Sequence, residues 1–230
     1  MKRNLHIFWV FLLPVLFFLS LLGSCFPAPE RRDAEPVLGS GLFRIAVVPF
    51  QQIFPQDLAD GAVKSPLTGQ FFHSLRPLGS PERLLEGCFL NHLANSRPGW
   101  KIVAGERAAA VFRNVSSLSL RRSLRETLAE TAKELGADLV VVGYLYRFRE
   151  RKGESFAVEK PSSVAFEIAM LRVDNGDIVW RGLFDRTQQS LLEDIFQLPS
   201  FLKGGGKWLT AEELLEEGVE QVMKTFPEYK

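Results

Sequence analysis

The strongest constraint on the fold is a pair of apolar segments separated by a turn sequence. The first covers 163–173 and the second 178–185, and both are rich in β-branched and aromatic residues, which favour strands. Asn175-Gly176, between them, is the dipeptide most typical of a β-hairpin, since both residues accept a positive φ. The sequence therefore predicts two adjacent antiparallel strands in this part of the chain.

Further strands alternate with helices. Continuous apolar runs at 45–48 and 138–146 predict strands buried on both faces, and 100–103 predicts a shorter one. Apolar residues at helical spacing, with serine or threonine caps at two of the starts, predict three long helices, at 80–95, 118–135 and 210–226, and a short one at 191–196. This order predicts an α/β fold: a single domain with a mixed parallel and antiparallel sheet of about five strands and helices packed on its faces.

Residues 51–79 fit neither pattern. They contain several prolines and aromatic residues without a helical or strand period, which predicts a long loop insertion. A loop of this length inside a compact domain is usually functional or mobile. Its phenylalanines are therefore either contacts for a partner or anchors on the core, and the sequence leaves both possibilities open.

The start of the chain has the marks of a secretory signal. Lys2 and Arg3 precede an uncharged apolar run over 5–22, and small residues follow it. The tetrapeptide Leu22-Gly23-Ser24-Cys25 resembles the lipobox of bacterial lipoproteins. An uncleaved transmembrane helix, or an ordinary signal followed by a chance cysteine, are the alternatives.

The lipobox resemblance implies cleavage between Ser24 and Cys25 and a covalent lipid on Cys25, with no other cofactor. Each buried methylene of such a lipid contributes about 0.8 kcal/mol to membrane binding. Phe26, rather than aspartate, follows the cysteine. By the sorting rules of such lipoproteins, this implies the periplasmic face of the outer membrane.

These features divide the chain into three parts. Residues 1–24 are the predicted lipoprotein signal peptide, 25–41 a lipidated flexible tether rich in proline, glycine and charge, and 42–230 the periplasmic α/β domain. The whole chain has a net charge of +1, and losing Lys2 and Arg3 with the signal leaves −1. A chain so balanced has no electrostatic footprint for nucleic acid, so no nucleic-acid partner is expected.

Three segments carry a family resemblance: RIAVVPF at 44–50, ELGADLVVVGYLYRFRE at 134–150 and LRVDNGDIVWRGLFD at 171–185. They resemble envelope lipoproteins of the CsgG/LpoB and TolB-N-terminal-like group. The resemblance implies a non-catalytic protein with an envelope protein partner or self-association. The chain departs from pore-forming members because it lacks a segment long enough for a transmembrane barrel, and from synthase activators because its tether is short.

The sequence gives little support for catalysis or metal binding. Gly-x-Ser-x-Gly, His-Glu-x-x-His and Cys-x-x-Cys motifs are absent, and Cys88 has no cysteine partner in the mature chain. His92 lies among apolar helix residues and His73 in the predicted loop, with no acid near it in sequence. We therefore predict no catalytic residues, no metal site and no enzymatic activity.

The predicted function is a lipid-anchored binding or scaffold factor of the cell envelope. Its candidate partner contacts are the aromatic residues of the predicted loop and a glycine-rich segment that fails the phosphate-loop pattern: Phe54, Phe71, Phe72, Gly204, Gly205, Gly206, Lys207 and Trp208. The sequence leaves two alternatives open. One is a subunit of an oligomeric export or assembly complex, and the other is an unrecognised hydrolase of cell wall or lipid.

Overall fold

A computed structural model of the chain describes residues 43–56, 60–118, 122–154, 157–188 and 208–227. Their strands are β1 (Arg44–Val47), β2 (Gln51–Gln52), β3 (Asp60–Lys64), β4 (Phe71–Leu75), β5 (Lys101–Val103), β6 (Leu139–Arg149), β7 (Lys152–Glu154), β8 (Ala157–Lys160), β9 (Ser163–Arg172) and β10 (Ile178–Thr187). Their helices are α1 (Pro81–Ser96), α2 (Gly105–Leu118), α3 (Leu124–Glu134) and α4 (Ala211–Met223).

The main sheet has the strand order β10-β9-β6-β1-β5, with the short β2 beside β6. β1 pairs in parallel with both β5 and β6, whereas β6, β9 and β10 are successively antiparallel. Helices connect β1 to β5 and β5 to β6, so that these strands run in the same direction. The β9–β10 hairpin adds the antiparallel strands at the other edge of the sheet. The predicted fold class, a mixed α/β sheet covered by helices, is confirmed.

The sheet separates two hydrophobic cores. One, which includes Phe89 of α1 and Leu215 of α4, lies on one face. The other, which includes Phe112 of α2 and Leu128 of α3, lies on the opposite face. Because β6 contributes side chains to both cores, its sequence is apolar at successive positions rather than alternating.

Capping residues set the starts of two helices. Ser123 and Glu126 form a reciprocal capping box at α3, and Thr210 and Glu213 form another at α4. The helix predicted from 118 therefore begins at Leu124. Leu118 instead ends α2, a helix that the sequence interpretation missed.

The prediction of a long loop at 51–79 was wrong, because this segment contains the antiparallel hairpin β3–β4. A second hairpin, β7–β8, follows β6. In β4 the side chains alternate between exposed and buried, but one of the two buried positions is Ser74 and the exposed Phe71 is apolar, so no apolar period is visible in the sequence. The helix predicted at 191–196 lies outside the described residues. Within the described ranges, no helix has the length and apolar character needed to cross a membrane.

Candidate functional site

The hairpin β3–β4 has two faces of different character. On β4, Phe71 and His73 point outward, whereas Phe72 and Ser74 point toward the main sheet. The side chain of Phe71 is 69% exposed, and that of Phe72 is 3% exposed. Two neighbouring phenylalanines therefore have opposite environments, because successive strand residues point to opposite faces.

The inner face is packed on the main sheet by an aromatic stack. The ring of Phe72 lies parallel to that of Tyr146 on β6, with centroids 4.0 Å apart and an interplanar angle of 4°. Beside it, the Ser74 hydroxyl donates a hydrogen bond of 2.6 Å to the Ile53 carbonyl. Phe72, predicted as a partner contact, is thus part of the core and has no surface to offer a partner.

A buried carboxylate fastens the turn of the hairpin to the sheet. Glu167 on β9 has no exposed surface. It accepts hydrogen bonds from the Ser65 hydroxyl at 2.7 Å and the Tyr146 hydroxyl at 2.9 Å. It also forms an ion pair with Arg181 of β10, with 2.5 Å between Nε and Oε1. A buried charge with these partners is compensated, and it makes the position of the turn specific.

A second buried charge holds β4 itself. Arg147 of β6 donates a 2.8 Å hydrogen bond to the His73 carbonyl and a 2.7 Å hydrogen bond to the Ser163 hydroxyl. It also pairs with the carboxylate of Asp185. The planar guanidinium thereby joins β4, β6, β9 and β10 in fixed geometry.

The outer face of the hairpin, namely Ala62, Lys64, Phe71 and His73, is consequently mounted on a rigid base. Lys64 lies directly across the strand pair from Phe71, and Ala62 across from His73. Arg76, just after β4, lies 4.7 Å above the ring of the half-buried Phe54. An exposed aromatic ring beside a lysine is a suitable anchor for a protein partner that offers an apolar pocket with a negative rim.

The other predicted contacts are half-buried or lie outside the described residues. Trp208 is half-buried, and its carbonyl accepts a 2.8 Å hydrogen bond from Arg151. Gly204, Gly205, Gly206 and Lys207, like the predicted processing residues Ser24 and Cys25, lie outside the described residues. Their roles stay predictions. The buried charges Glu167 and Arg147, which position the hairpin, were missed, although a single acid in the apolar run SVAFEIAMLR is an unusual residue for a buried strand.

The groove between α1 and α4 holds the one cysteine of the described ranges. Cys88 and His92 face Glu213, Glu216 and Glu220 there. Burial raises the pKa of the Cys88 thiol, and the charges of Glu216 and Glu212 raise it further. The thiol is therefore held in its protonated, less nucleophilic form. In the described part of the chain, no three His, Cys, Asp or Glu side chains converge on a metal position.

Alkaline pH should destabilise the domain through the tyrosines around Glu167. Burial raises the pKa of Tyr144 and of Tyr146, and the charge of Glu167 adds to both shifts. The folded state keeps these protons above pH ~10 while the unfolded chain releases them, so stability that is present below pH 10 is lost above it.

We expect Tyr144→Phe to make the fall in the free energy of unfolding above pH 10 shallower by about 1.4 kcal/mol per pH unit. Urea titrations of both proteins at several pH values between 9 and 12 measure this slope. Equal slopes would contradict a protonated, buried Tyr144 hydroxyl.

Comparison with known protein families finds no match, and comparison with curated proteins finds none either. Among solved structures, the chain is similar to the PelC dodecamer from Paraburkholderia phytofirmans, with 15% identity, coverage of 82% of this chain and 89% of that chain, and a TM-score of 0.46. It is also similar to lipoprotein GNA1162 from Neisseria meningitidis, with 11% identity, coverage of 71% and 94%, and a TM-score of 0.40. The C-terminal domain of LpoB from Salmonella enterica gives 16% identity, coverage of 67% and 89%, and a TM-score of 0.36. Similarity at this level does not define a family or a function.

Proposed function

We propose that this chain is a lipid-anchored, non-catalytic protein of the cell envelope that binds a protein partner through the outer face of the β3–β4 hairpin. The observation that carries the proposal is the exposure of Phe71 on a hairpin whose inner face is packed against the main sheet and hydrogen-bonded to it. The lipobox at 22–25 supplies the anchor in this proposal, and the outer membrane is the proposed location.

The energetics favour a binding role for Phe71. Burying an aromatic side chain at an interface is a large hydrophobic gain, and residues of this type dominate the binding energy of many complexes. The contacts of Phe72, Ser65 and His73 with the sheet hold the hairpin in place before binding. Little conformational entropy is then lost when the partner binds.

Site-specific photocrosslinking tests the surface. A photoreactive amino acid is placed at position 71 of the full-length protein in its own cells, and at position 118 as the control. Leu118, at the end of α2, is 79% exposed and does not belong to the hairpin. We expect a discrete envelope-protein adduct from position 71 only, lost when Lys64→Glu is added. Adducts of the same mass from both positions, or from neither, would contradict the proposed surface.

The anchor has its own test. We expect Cys25→Ala to abolish incorporation of labelled palmitate and to remove the lipid anchor, which supplies the membrane affinity of the mature protein. The variant should accumulate as soluble protein or as a precursor with an uncleaved signal. Cys88→Ala is the matched control, since it removes the other cysteine of the chain. Label that persists in Cys25→Ala would exclude lipidation at this position, whatever the partner experiment gives.

A further inference from the structure

The outer edge of β10 carries hydrogen-bonding groups that are not used within the described structure. The amide of Gln188, directly after β10, donates to the Ser162 carbonyl of the β9 side at 3.0 Å. Antiparallel strands alternate between residues that face the neighbour and residues that face away. The backbone groups of Arg181, Leu183 and Asp185 therefore point to the free edge, and among the described residues no strand pairs with them.

Over 180–187, and among the described residues, three usual protections of a sheet edge are absent: shortness, proline and a bulge. At the opposite end of the sheet, β5 has only three residues, whereas β10 has ten and contains no proline. Natural sheets usually shorten, bulge or cover such edges. Helix α4 packs on the face of β10 rather than on its edge, so closely that a Cβ at Gly182 would lie 2.8 Å from Val222. The edge strand is thus long, and it pairs with β9 in a regular register over 180–187.

The side chains along the edge indicate which partner strand would fit it. Leu183 is 37% exposed, with Arg181 two residues before it and Asp185 two residues after it on the same side of the sheet. This arrangement of opposite charges about a central leucine is complementary to itself when it is turned by 180°. A second copy of the strand therefore fits it.

We propose that β10 pairs antiparallel with β10 of a second copy of this chain, in a register centred on Leu183. Leu183 then lies opposite Leu183 of the partner subunit, and Arg181 opposite Asp185 of the partner subunit. Each of these facing pairs exchanges two N–H···O bonds. The sheets of the two copies join into one continuous sheet about a two-fold axis.

The charges distinguish this register from its neighbours. Registers centred on Gly182 or Phe184 keep the outward-facing backbone groups paired, but they place Arg181 and Asp185 opposite uncharged residues and so lose the charge pairing. Registers centred on Arg181 or on Asp185 place like charges directly opposite one another, which is destabilising. In the register centred on Leu183, the existing pairs Glu167–Arg181 and Arg147–Asp185 extend across the interface into a row of alternating charges.

Disulfide trapping tests the register in the full-length protein in its membrane. Leu183→Cys is made in a Cys88→Ala background, with Leu118→Cys as the control of greater exposure. Residues that face each other in hydrogen-bonded pairs have Cα atoms about 5.5 Å apart, which a disulfide can bridge. We expect mild oxidation to give a covalent dimer several-fold more from position 183 than from position 118. Equal yields, or a disulfide to a different protein, would overturn the proposal.

A backbone variant provides the second measurement. Leu183→Pro removes an amide that faces outward and therefore breaks no bond to β9. We expect the wild-type protein in detergent to sediment as two copies and Leu183→Pro as one, with an unchanged circular dichroism spectrum. A wild-type monomer, or an oligomer that survives Leu183→Pro, would overturn pairing through this edge.

Discussion

Phe72→Ala is expected to lower the free energy of unfolding by about 3–5 kcal/mol, the usual cost of removing a buried phenylalanine ring. The ring is 3% exposed and stacks on Tyr146 at 4.0 Å. Alanine would leave a cavity between the hairpin and the sheet and would remove the contact that covers the Tyr146 ring. Urea unfolding at neutral pH, followed by circular dichroism, measures the loss.

Phe71→Ala is the matched control for this prediction. It removes the same side chain from the preceding residue of the same strand, but that side chain is 69% exposed, so the change should stay within about 0.5 kcal/mol. If the two variants are equally stable, the hairpin does not pack on the sheet as described. If Phe71→Ala is the more damaging variant, the inner and outer faces are reversed.

Glu167→Ala should be comparably severe, with a loss of about 3–5 kcal/mol, because buried polar groups would lose their partner. The hydroxyls of Ser65 and Tyr146 both donate to this carboxylate, and Arg181 pairs with it. Removing the carboxylate would free the turn of the hairpin. We therefore expect more rapid amide hydrogen exchange over 60–75, along with the lower stability.

Glu217→Ala is the control for a surface ion pair. Glu217 pairs with Arg186 at 2.8 Å, but its side chain is 37% exposed, so its removal should cost less than about 1 kcal/mol. A Glu167→Ala loss no larger than that of Glu217→Ala would mean that the buried network does not fasten the hairpin. The double variant Glu167→Ala, Phe72→Ala should lose less stability than the sum of the two single losses. Tyr146 contacts both side chains, so the two losses are not independent.

The central sheet was predictable because its signals are local. Continuous apolar runs identified β1 and β6, the Asn175-Gly176 dipeptide identified the β9–β10 hairpin, and Thr210 with Glu213 marked the start of α4. In each case a few neighbouring residues carry the information. The topology followed because parallel strands require crossovers and the hairpin can only add antiparallel ones.

The candidate surface was only partly predictable because its supports are distant in sequence. Phe71 was identified as a candidate contact, but Phe72 was placed with it, since two adjacent phenylalanines in an assumed loop have no assigned faces. Ser65 meets Glu167 across 102 positions of sequence. α2 was missed although Ala108, Phe112 and Val115 follow a helical spacing, because its start lacks a serine or threonine cap.

The long separation between Ser65 and Glu167 also sets an order of events in the making of the protein. A chain is synthesised from its N-terminus, so 60–75 emerge well before the strands that hold them. Contacts of high sequence separation are among the slow steps of folding, because the intervening chain must be ordered first. The hairpin can acquire its final position only after β6, β9 and β10 have assembled. Phe71 therefore reaches its final, exposed position only in completed molecules, and a truncated or stalled chain would not present it.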